Sequence, residues 1–120
     1  MKMIPLCLLA LLSMNSFAAE ESSMTCVGTE PFWAVNVSSN NQMTLLFPGE
    51  DDQVFTINHK TSASGTSGDF AFQISGSNSR AEFLKLNIIK EKCNDGMSDL
   101  EYPYSVLVDH QNRILYGCCK

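Results

Sequence analysis

Apolar and polar residues alternate with a period of two through most of the chain, in short runs separated by turn-forming residues. The runs are residues 32–37 (FWAVNV), 43–47 (MTLLF), 54–58 (VFTIN), 70–74 (FAFQI), 83–89 (FLKLNII), 104–108 (YSVLV) and 114–118 (ILYGC), with 24–28 (MTCVG) as a weaker eighth. Each is rich in β-branched or aromatic residues and short enough to be one strand with a buried and a solvated face. Turn signals fall between them: Asn40-Asn41, Pro48-Gly49, Asn94-Asp95-Gly96 and the segment from Asp109 to Asn112. The stretch TSASGTSGD over 61–69 reads as one exposed loop, since strand patterning resumes on both sides. No stretch carries three turns of amphipathic helix. Residues 98–102 predict one short helical turn, stopped by Pro103. Seven to eight short strands without alternating helices predict an all-β fold, a small antiparallel barrel or sandwich forming one domain.

The amino terminus departs from this pattern. Lys2 precedes a nearly uninterrupted apolar run over 4–12, and Ser16 and Ala18 stand at the minus-three and minus-one positions of a cleavage site. These are the three regions of a secretory signal peptide, and the run is shorter than the roughly 20 residues a spanning helix needs. The expected organisation is a signal peptide over 1–18 and a single β domain over 19–120, delivered to the periplasm or secreted, with no membrane span. Cys7 leaves with the peptide and has no lipoprotein cleavage box before it, so no lipid anchor is expected.

Removing Lys2 leaves seven basic residues against thirteen acidic ones, a formal net charge of −6. That surface argues against nucleic acid or anionic lipid as partner and suits a cationic one.

Four cysteines remain in the mature chain: Cys26, Cys93, Cys118 and Cys119. In a small exported domain they read as a disulfide framework. A bridge between Cys118 and Cys119 would close a strained ring across one peptide bond. Two connectivities stay open, with Cys26 joined to one member of the terminal pair and Cys93 to the other. If the last strand runs through both, their side chains point to opposite faces, so one bridge lies toward the core and the other outside it. The spacings fit neither a tetrahedral zinc site nor a Cys-x-x-Cys redox motif.

Two longer patterns stand out: Gly28-Thr29-Glu30-Pro31-Phe32-Trp33 after Cys26, and Cys93-Asn94-Asp95-Gly96-Met97-Ser98-Asp99 with Tyr102-Pro103-Tyr104, followed by Gly117-Cys118-Cys119. Together they resemble the signature of a family of small bacterial envelope proteins, many of them exported proteins or lipoproteins. The resemblance covers nearly the whole mature chain; it supports a periplasmic location and implies no chemistry. From the residues themselves, Glu30, Phe32, Trp33, Asp95, Met97, Asp99 and Tyr102 are the binding candidates. Trp33 is expected to plug one end of the fold, with a wall for an apolar ligand as the alternative. Glu30 is either an exposed strand-entry residue or a partner for Arg80 or Arg113. A helical turn would bring Asp95 and Asp99 together, but their spacing suits turn and capping chemistry better than a calcium loop. His59 and His110 belong to no nucleophile motif, His110 reads as a surface residue in a turn, and no phosphate-cradling loop occurs. No cofactor and no catalytic residue is expected. The expected function is a binding module for a protein or envelope component, working through the loops at 60–69 and 94–103. A cationic envelope or foreign protein is the expected partner, and small acidic periplasmic barrels that inhibit lysozymes are a fold-level precedent. A carrier of a small ligand or metal ion, and a thiol-dependent enzyme, are the alternatives.

Overall fold

The computed structural model describes residues 22–120, so the signal-peptide reading and Cys7 lie outside the described residues. The described residues form ten strands: β1 (Ser22–Thr29), β2 (Phe32–Ser38), β3 (Gln42–Leu46), β4 (Gln53–Ser62), β5 (Ala71–Ser77), β6 (Phe83–Ile89), β7 (Cys93–Asn94), β8 (Glu101–Tyr102), β9 (Tyr104–His110) and β10 (Arg113–Cys119). Each strand from β1 to β6 pairs with the next, β6 passes to β9, β9 to β10, and β10 returns to β1. All pairs are antiparallel. The molecule is therefore a closed up-and-down barrel of eight strands, which settles barrel against sandwich. Short turns favour this meander, and closure removes the exposed edges an open sheet would present.

The alternation seen in the sequence becomes the division between inside and outside. Trp33, Val35 and Val37 on β2, Met43 and Leu45 on β3, Leu84, Leu86 and Ile88 on β6, and Val106 and Val108 on β9 all point inward and are buried. Phe55 and Met43 are fully buried among them. Side chains thus fill the interior, as eight-stranded geometry allows. Burying each is worth roughly 1.5–3 kcal/mol, which is how so small a domain offsets its ordering entropy.

The observed elements differ from expectation in two places. Strand β4 continues to Ser62, because residues 59–62 pair in register with β5 as far as Ser62 opposite Phe72. The loop is consequently 63–70. Residues 98–102 form no helical turn: bends lead into β8, which pairs with β7 at Cys93–Tyr102 and Asn94–Glu101. Five residues before Pro103 cannot repay helix nucleation, and the short hairpin offers backbone partners instead.

The seam of the barrel lies between β1 and β10. Thr25 and Lys120 exchange both backbone hydrogen bonds, at 2.8 and 2.9 Å. The next pair, Cys26 and Cys119, is therefore a non-hydrogen-bonded pair, the position where facing residues come closest. Their Cα atoms are 4.0 Å apart and the side chains form a disulfide inside the barrel. Cys118, one residue earlier, faces outward and is bridged to Cys93 with a Cα separation of 5.5 Å. The two adjacent cysteines thus staple opposite faces of one strand: one holds the seam, the other holds the β7–β8 segment against the outer wall.

Replacing both Cys26 and Cys119 by Ala should lower unfolding free energy by about 3–5 kcal/mol and make the whole barrel less cooperative. Replacing Cys93 and Cys118 should cost about 2–4 kcal/mol. In urea melts followed by amide exchange, the second variant should lose protection first over 91–103 while the barrel strands keep theirs.

Candidate functional site

The connection between β6 and β9, residues 90–103, leaves the barrel and folds back along its outer wall over β10 and β1. Its anchors are explicit. Cys93 is bonded to Cys118, and the Tyr116 hydroxyl lies 3.6 Å from the Cys93 sulfur. Cys93, Cys118 and the buried ring of Tyr102 form a small apolar cluster with Val27 on the outside of β1. Lys120 places its ammonium 5.5 Å from the Tyr102 ring centroid. At the far end, the Thr29 hydroxyl donates to the Asp95 carbonyl at 3.1 Å, joining the two sequence patterns directly.

Asp95 organises this strap. Its Oδ1 accepts the Met97 and Ser98 amides at 2.9 and 3.1 Å, and its Oδ2 accepts the Tyr102 hydroxyl at 3.2 Å. Asn94 accepts the Gly96 amide at 2.7 Å, and Gly96 adopts a φ of 79°, a left-handed value that costs glycine nothing. The Met97 amide, followed by the Ser98 and Tyr102 hydrogen bonds, holds the Asp95 carboxyl below its ordinary value of 3.8. Desolvation, and then the bond to Asp95, pushes the Tyr102 hydroxyl above 10.0. Asp95 is thus a turn organiser. Asp99 lies further along the strap, exposed, and no helical turn unites the two carboxylates. Among the described residues no three His, Cys, Asp or Glu side chains gather to hold a metal ion.

At the other pattern, the cis Glu30–Pro31 peptide occupies the two-residue turn between β1 and β2. Phe32 and Trp33 then diverge: Trp33 points into the barrel and is 3% exposed, whereas Phe32 points out and is 54% exposed. The indole lies across Gly28 and Gly117. A Cβ on Gly28 would overlap the indole Nε1, and one on Gly117 would come within 2.7 Å of Cζ2. Glycine on the two neighbouring strands makes the space that this tryptophan fills. Glu30 is exposed and takes part in no ion pair among the described residues. Arg113 instead sets its guanidinium 5.1 Å from the Phe47 ring centroid.

Between the strap and the outer faces of β1, β2 and β3 runs a groove of about 540 Å³. Its floor is apolar, built from Val27, Ala34 and Leu46; Phe32 and Phe47–Pro48 form one side, and Asp95, Met97 and Tyr102 the other. Met97 is 67% exposed. Of the sequence candidates, Phe32, Trp33, Asp95, Met97 and Tyr102 come together here, while Glu30 and Asp99 do not line the groove. Val27, Thr29, Ala34, Leu46 and Asp52 were not legible as site residues, although there was a signal: Val27, Phe32, Ala34 and Leu46 are apolar residues in the outward phase of their strands. An outward apolar run marks a wall that something else covers or approaches.

His59 is exposed on β4. His110 is not a surface residue in a turn. It ends β9 half-buried, edge-on to Phe55 with centroids 5.9 Å apart, and its buried Nε2 has no hydrogen-bond partner among the described residues. Desolvation lowers its basicity.

No family model, curated protein or solved structure matches the chain. The site must therefore be read from its own chemistry.

Gly28→Ala should displace the Trp33 indole, shifting its fluorescence to the red and destabilising the barrel by about 1–3 kcal/mol, the usual cost of overpacking. The strap should respond to pH at both extremes. Asp95 has a lowered folded value, so its contribution is complete above 3.8 and is lost as pH falls through that folded value. Tyr102 has a raised one, so its contribution is complete below 10.0 and is lost as pH rises through the folded value. Amide protection over 94–102, taken relative to the intrinsic exchange rate at each pH, should fall in both windows, with Asp95→Asn removing the acid response and Tyr102→Phe the alkaline one.

Proposed function

We propose that the protein is an exported, disulfide-stapled binding module that holds an apolar group of a protein or envelope component in the groove between Phe32 and Met97. The observation that supports this most is the exposure of those two side chains at the lips of an apolar concavity. Large apolar side chains left in water around a shaped depression are a recognition feature, and a flexible, polarisable methionine adapts to varied surfaces. The support underneath is rigid. Phe32 stands on a barrel strand beside the buried Trp33, and Met97 stands on a loop fixed by a disulfide and by the Asp95 hydrogen bonds. A preorganised site loses less entropy on binding than a mobile loop does. The two disulfides are consistent with an oxidising, exported compartment.

A second reading is favoured by the size of the groove. Its volume of about 540 Å³ lies within the range of small-molecule sites, so an apolar small ligand is the alternative occupant.

The neutral dye Nile red should bind the protein with a fluorescence increase, and Phe32→Ser or Met97→Ser should each weaken binding about tenfold. Both residues are exposed, so the thermal midpoint should stay within a few degrees of the parent. Absence of dye binding to the parent, or affinity unchanged in both variants, would contradict the reading.

A further inference from the structure

The groove does not stand alone. The loop between β3 and β4 carries Phe47 and Pro48 to the apolar side, and its next residues, Glu50, Asp51 and Asp52, turn to a second depression. That depression also measures about 540 Å³ and is polar; Glu82 and Arg80 complete its charged lining. Asp52 lines both, so the two are contiguous. Four carboxylates against one guanidinium give the second depression a strongly negative character. Glu82 receives the amides of Asn78 and Gln111 at 3.3 Å each, which fixes its position without neutralising it. The ion pairs among the described residues, Lys90 with Asp69 and Lys92 with Glu101, do not involve Glu50, Asp51 or Asp52.

From this juxtaposition we infer that the groove and the acidic depression form one bipartite site for a basic polypeptide segment, in which an apolar side chain lies next to lysine or arginine. The inference rests on the proposed function of the groove and names its partner. Charge complementarity selects the sign: the seven basic residues of the mature chain are outnumbered by thirteen acidic ones, and among the described residues Glu50, Asp51 and Asp52 enter no ion pair, with Arg80 as the cation in the depression's lining. Extent favours a chain segment: two adjoining open depressions of about 540 Å³ each, one apolar and one acidic, offer places for successive side chains of one polypeptide. Polyanionic nucleic acid and anionic lipid surfaces are repelled by the same carboxylates. The division of labour follows: the apolar slot supplies most of the affinity, and the carboxylates supply encounter rate and selection against acidic segments.

The test is selection of a random-peptide display library on the disulfide-intact protein, followed by affinity measurement with the selected peptides made synthetically. Enriched peptides should pair a leucine- or phenylalanine-like residue with Lys or Arg. Their affinity should fall about tenfold in the variant Glu50→Gln/Asp51→Asn/Asp52→Asn, and similarly when salt rises from about 0.05 to 0.5 M. Phe32→Ser should weaken them as well. Peptides without basic residues, or affinity unchanged in the neutralised variant, would overturn the bipartite site while leaving the apolar groove intact, provided Phe32→Ser still weakens binding. Failure to enrich any peptide while Nile red still binds would overturn the polypeptide partner alone. Indifference to Phe32→Ser would overturn both readings.

Discussion

The opposite orientation of neighbouring side chains on a strand is the constraint on which the rest of this molecule depends. It acts most consequentially at Cys118 and Cys119. Because Cys119 points inward, at a close-packed pair across the seam, its bridge to Cys26 closes the barrel from within. Because Cys118 points outward, its bridge to Cys93 pins a 14-residue excursion onto the outer wall. A barrel closed only by hydrogen bonds at this seam would have little registered pairing there, since β1 and β10 share the pairs 26–119 and 27–118 and the flanking bonds of Thr25 with Lys120. The covalent link supplies what the short seam lacks. In a domain whose net stability is of the order of 5–15 kcal/mol, two bridges are a large share of it.

The same parity governs the site. Phe32 and Trp33 are adjacent, as the two cysteines are, and they divide between wall and core in the same way. Trp33 occupies space left by Gly28 and Gly117, which a side chain at either position would take from the indole. Phe32 is thereby presented outward from a rigid strand. Opposite it, the strap presents Met97 from a turn that Asp95 holds by its carboxylate. A single bridge, Cys93 to Cys118, thus connects the fold to the proposed site: it holds the second wall of the groove against the barrel.

Much of this was legible in the sequence because its causes are local. Strand β6 coincides with the alternating run 83–89, and most other strands differ from their runs by a few residues at the ends. The presence of two bridges and their division between core and exterior followed from counting four cysteines and from strand parity. Which cysteine joined which was open, because it depends on the phase of β10 relative to β1, a long-range fact. Closure into a barrel was equally hidden, since β1 and β10 pair across nearly the whole chain. The short helix expected over 98–102 failed because the β7–β8 pairing competes with it. The groove itself depends on the fold-back of the strap, which no spacing encodes, although Leu46 and Phe32 in the outward phase were visible hints.

The most direct measurement of this account is the disulfide connectivity of the protein isolated without reductant, determined by peptide mapping with fragmentation between residues 118 and 119. The account predicts Cys26 joined to Cys119 and Cys93 joined to Cys118. The exchanged pairing, Cys26 with Cys118 and Cys93 with Cys119, would reverse the inward and outward faces at the end of β10, and with them the seam, the strap and the groove.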